Sequence, residues 1–336
     1  MLTSNKVSFS VLDLAIIKEH HDAADAFDRS LDLARHTEDW GYKRFWLAEH
    51  HNMVNVGSSA TAVLIGHIAG GTKSIRVGSG GIMLPNHAPL MVAEQFGTLA
   101  SLYPERIDLG LGRAPGTDQT TARALRRDRL ETVEEFPRDL EELQHYFSNE
   151  NIDGKVRAIP GEGLDVPIYL LGSSMSSAQL AARKGLPYAF ASHFAPAQFL
   201  DAIRYYRANF RPSVYLKEPY IISCINVVAA ESEEKADKLA TSFYQMALGI
   251  IRRKSYPLRE PVDSMDSIWS REEAAAIQQM MACSFVGTEK TISDDLRRFL
   301  EMTEVDELMI STNIYEHQER LKSYEITAKV MKNLQG

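Results

Sequence analysis

The stretch that most constrains the fold is 75–116, IRVGSGGIMLPNHAPLMVAEQFGTLASLYPERIDLGLGRAPG. Ile75 to Met83 is apolar and β-branched around a Gly-Ser-Gly-Gly interruption, the pattern of a buried strand whose backbone lies against something flat. Beyond Pro85 and Pro89, the residues Val92, Phe96, Leu99 and Leu102 recur at three- and four-residue steps, which predicts a helix with one buried face. Ile107 to Gly112 is a second buried strand, and Arg113 stands where it ends. Two parallel strands joined by a helix make a βαβ unit, and the ligands of such units gather at the carboxyl ends of the strands. Asn86, His87, Arg113 and Asp118 all fall at that end.

The same alternation runs along the whole chain. Strands are predicted at Val7 to Leu12, Arg44 to Ala48, Ile168 to Leu171, Tyr188 to Ser192, Tyr220 to Val228 and Glu307 to Ser311, with helical periodicity between them. A helix is expected over Glu131 to Phe147, and Phe199, Ile203, Tyr206 and Phe210 trace the face of another. Eight strands, each followed by a helix, is the pattern of a (β/α)8 TIM barrel forming a single α/β domain over 1–336. A doubly wound open sheet is the alternative. No G-x-G-x-x-G follows the first strand, which counts against its dinucleotide-binding version. Residues 252–284 fit neither period and carry Pro257, Pro261 and Trp269. This long insertion between strands seven and eight is expected to be a lid or a packing excursion, with the lid preferred.

A net charge of -8 removes any global electrostatic case for nucleic acid or an anionic membrane. The basic run Arg123 to Arg129 is short, broken by Asp128, and reads as a solvated or lid-like segment. No apolar run reaches membrane-spanning length, and the N-terminus lacks a signal-peptide pattern. Cys224 and Cys283 stand far apart without metal-type spacing, so reduced thiols in a cytoplasmic protein are expected.

Chemistry is concentrated at strand ends. Gly172-Ser173-Ser174-Met175-Ser176-Ser177 opens a helix, where backbone N–H groups and hydroxyls make a phosphate seat or an ordinary serine cap. Arg113 is placed to reach the same phosphate, or to make a surface ion pair. In Glu49-His50-His51, Glu49 and His51 project to one side of the strand end and His50 to the other. A metal needs a third convergent ligand that the triplet does not supply, so no metal is expected. Proton exchange by a histidine is the preferred function there, against a histidine merely hydrogen-bonded in a barrel rim. Gly80-Gly81 either admits a planar ligand closely or lets the sheet flex.

The segments VLDLA, LAEHH, VGSGGIMLPNHAPLMVAEQFGTLASL, ERIDLGLGRAPG, LLGSSMSSAQLAA and FVGTEKTISDDLRRFLE together resemble the bacterial luciferase-like flavin-dependent monooxygenases over essentially the whole chain. That resemblance implies a barrel binding FMN at its carboxyl face. Reduced flavin would come from a separate NAD(P)H:flavin reductase, O2 would be co-substrate for a small organic molecule, and the protein would be a cytoplasmic homodimer. Position by position, it gives His50 the catalytic role near the flavin and Arg113 the phosphate. Gly172, Ser173, Ser174, Ser176 and Ser177 fall in the phosphate loop, and Gly80-Gly81 falls where the family has a non-proline cis peptide beneath the ring. The luciferase α subunit carries a cysteine just before this arginine; here Gly112 stands in its place, so any role of that thiol is absent. A relative using the deazaflavin F420 for hydride transfer, or a non-catalytic flavin-binding protein, are the alternatives.

Overall fold

The computed structural model describes residues 6–114, 118–125 and 135–335. Gly116, the basic residues at 126–129 and the expected helix start at Glu131 lie outside the described residues. Within them the sheet has nine parallel strands: β1 (Ser8–Asp13), β2 (Arg44–Leu47), β3 (Arg76–Met83), β4 (Ile107–Gly112), β5 (Ile168–Gly172), β6 (Tyr188–Phe190), β7 (Ile221–Ala229), β8 (Ser284–Gly287) and β9 (Glu307–Ser311). β1 to β7 pair in sequence, β7 pairs with β9, and β9 returns to β1, closing an eight-stranded barrel. β8 lies outside this ring, paired with the last residues of β7. The eighth barrel strand is the expected Glu307–Ser311, preceded by a short strand that sequence patterning did not separate.

The barrel closes because its strands are apolar on both faces. Phe9, Val11, Phe45, Leu47, Val77, Leu109 and Ile310 face the surrounding helices in one large core. Leu12, Trp46, Tyr169, Ile222, Cys224 and Met309 fill the interior as a second. Each fully buried aliphatic or aromatic side chain contributes about 1.5–3 kcal/mol. Below the interior apolar layer lies a polar one. Arg44 Nη1 donates to Asp108 Oδ2 (2.8 Å) and to Tyr169 OH (2.7 Å). Its Nε stands 2.8 Å from Glu307 Oε1 without an aligned N–H, a charge contact rather than a hydrogen bond.

The glycines of β3 and β4 answer first to one another. A Cβ on Gly110 would lie 2.1 Å from Ser79 O, and one on Gly81 would lie 2.6 Å from Gly110 O. The flat neighbour expected beside β3 is therefore, on this side, the backbone of β4. The register shifts between Ser79 and Ile82, and the Gly80–Gly81 peptide is cis.

Residues 252–284 are not devoid of regular structure. They hold a helix, Arg271–Met280, opened by a capping box between Ser270 and Glu273, and they reach the first residue of β8. Ile277 is the helix's one buried residue, so it has no apolar stripe for periodicity to detect. Leu258 N donates to Ile17 O (2.9 Å), and its carbonyl accepts from Glu19 N (2.8 Å). Those bonds tie the insertion to the chain leaving β1. No helix among the described residues is long and apolar enough to cross a membrane.

Candidate active site

At the carboxyl ends of the strands lies a cavity of about 460 Å³, within the roughly 300–1,000 Å³ of small-molecule sites. Every barrel strand or the loop after it reaches its wall, from Leu12 and His50 through Gly80, Gly81 and Arg113 to Asn226 and Met309. Phe243, Met246 and Ile250 of the helix Glu233–Ile251 enclose it from outside the barrel. The insertion adds Met280 and Met281.

One side of the wall is built for an anion. Arg113 Nη2 donates to Ser176 Oγ (2.7 Å) and stands 3.5 Å from Ser174 Oγ, and the two hydroxyls are 3.0 Å apart. Ser174 is the N-cap residue of the helix Met175–Lys184, yet its side chain makes no capping bond. The ordinary serine cap is thus absent, and the hydroxyl is turned to the arginine. Ser177 Oγ is held by Ser174 O (2.7 Å) and Tyr188 OH (2.9 Å). A Cβ on Gly172 would meet Ser177 Oγ at 2.2 Å, so only glycine fits this turn. Guanidinium, hydroxyls and a helix N-terminus together suit a phosphate.

His50, Gly80, Gly81, Arg113, Gly172, Ser173, Ser174 and Ser177 all line the cavity, while Ser176 stands outside the wall and acts through Arg113. Asn86, His87 and Asp118 do not line it, although they were grouped with Arg113 by sequence. Asp118 accepts from Thr120 N (2.9 Å) and Thr121 N (3.0 Å) at the start of a short helix.

Glu49 and His51 share one side of the strand end, as strand alternation requires. Glu49 Oε1 accepts from His51 Nε2 (2.7 Å) and from His87 Nε2 (2.8 Å), and Met83 N donates to Oε2 (3.1 Å). His87 supplies the third convergent group that the triplet lacked, and the three ligand atoms lie within 4.8 Å of one another. A carboxylate bridging two ring N–H donors accounts for this arrangement as a charge network. Burial alone would raise the Glu49 carboxyl, but the bonds from His51, His87 and Met83 and the His87 charge hold it at about 2, against an ordinary 4.5. Because the folded value is depressed, this stabilisation is complete above the unfolded 4.5 and disappears as pH falls towards 2. It amounts to about 3 kcal/mol. Urea midpoints measured from pH 6 to pH 3 should therefore fall less steeply for Glu49→Gln than for the parent chain. Parallel curves would remove Glu49 as an acid-sensitive anchor of β2 to β3.

Three cavity residues were not among the candidate site residues of the sequence. His193 follows β6, while Cys224 and Asn226 lie on β7, and all three reach the cavity. Burial, with a smaller push from His50, lowers the His193 pKa to about 3. Burial and the neighbouring Cys283 raise the Cys224 thiol, and both cysteines are free. The available signal was Asn226 itself, an amide inside the apolar run IISCINVVA.

The model of the luciferase-like monooxygenase family matches residues 7–307. A luciferase-like monooxygenase of Escherichia coli is 49% identical, covering 100% of both chains. The N-acetyl-S-alkylcysteine monooxygenase of Bacillus subtilis is 32% identical, covering 95% of this chain and 97% of its own. Among solved structures, apo-MsnO8 superposes with a TM-score of 0.85 at 32% identity, covering 97% of this chain and 98% of its own. Two further structures share the fold at lower identity. The oxygenating constituent of 3,6-diketocamphane monooxygenase from Pseudomonas putida, in complex with FMN, has a TM-score of 0.73 at 15% identity and covers 97% and 98%. An F420-dependent secondary alcohol dehydrogenase with an F420-acetone adduct has 0.67 at 12%, covering 97% and 99%. With the family model matched over most of its length, this chain belongs to the luciferase-like monooxygenases.

Proposed function

We propose that this monooxygenase takes reduced FMN from a separate NAD(P)H:flavin reductase and uses O2 to oxygenate a small organic substrate. The observation that carries this is the pairing of Arg113 with Ser174 and Ser176 at a helix start beside a largely apolar cavity. The phosphate would sit on these residues, with the ring against Gly80-Gly81. Bound there, reduced FMN would supply the electrons that activate O2. The chain's own tasks are to hold the ring, exclude water with the apolar wall, and handle a proton at His50. We assign residues 252–284 a lid role through Met280 and Met281, and include a cytoplasmic homodimer in this reading. Exposed Val63, Met91 and Leu102 offer apolar surface for that dimer.

Titration with FMN and with riboflavin, followed by reduction and admission of O2 with oxygen uptake recorded, tests the proposal. Arg113→Ala should weaken FMN binding about 10–100-fold, the worth of one or two charge-assisted bonds, and leave riboflavin affinity unchanged. An unaltered FMN-to-riboflavin ratio would take the phosphate away from Arg113. The F420-dependent relative of the same fold supports a second reading, hydride transfer with F420. Anaerobic turnover with F420, and none with reduced FMN and O2, would establish it instead.

A further inference from the structure

A second cavity, of about 250 Å³, lies where the helix Glu233–Ile251 runs into the insertion. Its wall carries Arg253, Lys254 and Arg259 and, among the described residues, no Asp or Glu. Met53, Asn55, Met246 and Ile250 line both this cavity and the candidate active site, so the two share a wall. We propose that the second cavity is a headgroup subsite, taking the carboxylate of an organic acid whose apolar chain enters the active-site cavity. The inference rests on the oxygenase reading above and names the substrate class of that site.

Arg253 occupies a position that favours glycine. The helix ends in a Schellman motif, in which Arg253 N donates to Ile250 O (3.0 Å) and Lys254 N to Gly249 O (2.8 Å), with Arg253 left-handed at φ 52°. A side chain in that conformation costs stability relative to glycine. Basic residues often close a helix by meeting its last carbonyls, but here backbone N–H groups already occupy those of Gly249 and Ile250. The neighbouring Arg252 is the cation with an acid, its Nε 2.7 Å from Glu273 Oε1. Arg253 and Lys254 have no ion-pair partner among the described residues. In a chain of net charge -8, two adjacent unmatched cations in a wall without acids favour an anion from outside.

The chemistry of the wall narrows that anion. A guanidinium fork beside an ammonium matches the two oxygens of a carboxylate. Arg259 adds to this charge: its guanidinium lies 4.5 Å over the Tyr256 ring, and its one acid, Glu19, is 3.9 Å away. An ammonium would meet three like charges, and an alcohol would gain little from them. The shared wall is formed in part by Met53 and Met246, unbranched side chains that can move aside for a hydrocarbon chain. Beyond them the active-site cavity is largely apolar, and its guanidinium, Arg113, is engaged with Ser176. The charged end of the ligand therefore belongs in the second cavity and the chain in the first.

The test is calorimetric titration of sodium butanoate, hexanoate and octanoate, hexanol and hexylammonium chloride into protein saturated with FMN, which fills the seat at Arg113. Hexanoate should bind at least about tenfold more tightly than hexanol, and hexylammonium more weakly than either. Each added methylene of the carboxylates should tighten binding about threefold. Arg253→Gly, which suits the left-handed backbone, should keep or raise the Tm while lowering hexanoate affinity about tenfold. Lys254→Met should lower it in the same direction, and both variants should leave hexanol and FMN affinities unchanged. Equal binding of hexanoate and hexanol by the parent chain, or parent-like hexanoate affinity in both variants, overturns the proposal. Affinity that stays flat from butanoate to octanoate overturns the entry of the chain into the active-site cavity. Absence of an FMN isotherm instead overturns the oxygenase reading, and the same series on Arg113→Ala, which lacks the other guanidinium, still decides whether the second cavity takes a carboxylate.

Discussion

Replacing Arg44 by leucine is expected to cost about 3–5 kcal/mol of folding stability, because it takes the buried counter-charge from two buried carboxylates. Arg44 is 2% exposed, and its partners Asp108 and Glu307 are 0% exposed. Asp108 also accepts from Arg76 Nε (2.9 Å) and Trp46 Nε1 (3.1 Å), and Glu307 from Ser10 Oγ (2.5 Å) and Tyr220 OH (2.6 Å). Arg76 and Lys43, the other cations nearby, are partly in solvent, so Arg44 is the buried charge that binds the layer together. Burial alone would lower its pKa; the charges of Glu307 and Asp108 outweigh burial and push it well above the ordinary arginine value. Lysine should recover only part of the loss, since a single ammonium does not reproduce the planar fork that meets Asp108, Tyr169 and Glu307 at once. The measurement is the urea midpoint and slope for Arg44→Leu and Arg44→Lys. Parent-like stability of Arg44→Lys would show that fork geometry is irrelevant, and a loss under about 1 kcal/mol in Arg44→Leu would show that the layer behaves like a surface pair. The consequence reaches the cavity, because Trp46 links Asp108 below to the cavity wall above.

How far sequence carries can be judged from particular residues. Continuous apolar strands and amphipathic helices revealed the barrel because burial on both strand faces leaves a period that the chain itself displays. The helix Arg271–Met280 stayed hidden because Ile277 alone is buried, although Ser270 and Glu273 were a readable capping box. Sequence also brought Arg113 and the serines of 172–177 to the same rim, since strand ends of adjacent βα units must converge. It did not find His87 beside Glu49, a contact across β2 and β3 that depends on how the turn after β3 folds back. Nor did it connect His193 with Asn226, which are brought together by the pairing of β6 and β7 rather than by spacing along the chain.

His50→Ala should lower oxygenated product about 10²–10⁴-fold, the usual worth of a positioned proton donor or acceptor, while FMN affinity changes little. Strand alternation separates the neighbours by role. Glu49 and His51 turn to the charge network with His87, whereas His50 faces the cavity with His193. His193 is suppressed by burial to about 3, so it does not exchange protons near neutral pH, and the proposed proton-handling role stays with His50. Two substitutions distinguish a proton-transfer role from mere hydrogen bonding. Glutamine preserves a hydrogen-bonding side chain but does not titrate, so His50→Gln should lose product as alanine does if proton exchange is the task. The readouts are product formed and hydrogen peroxide released per reduced FMN consumed, with a small organic substrate. Full product yield in His50→Ala would remove His50 from the chemistry, and full yield in His50→Gln alone would reduce it to a residue that orients its neighbour. A fall in product matched by a rise in peroxide places the loss after O2 has been activated, in the hand-over to substrate.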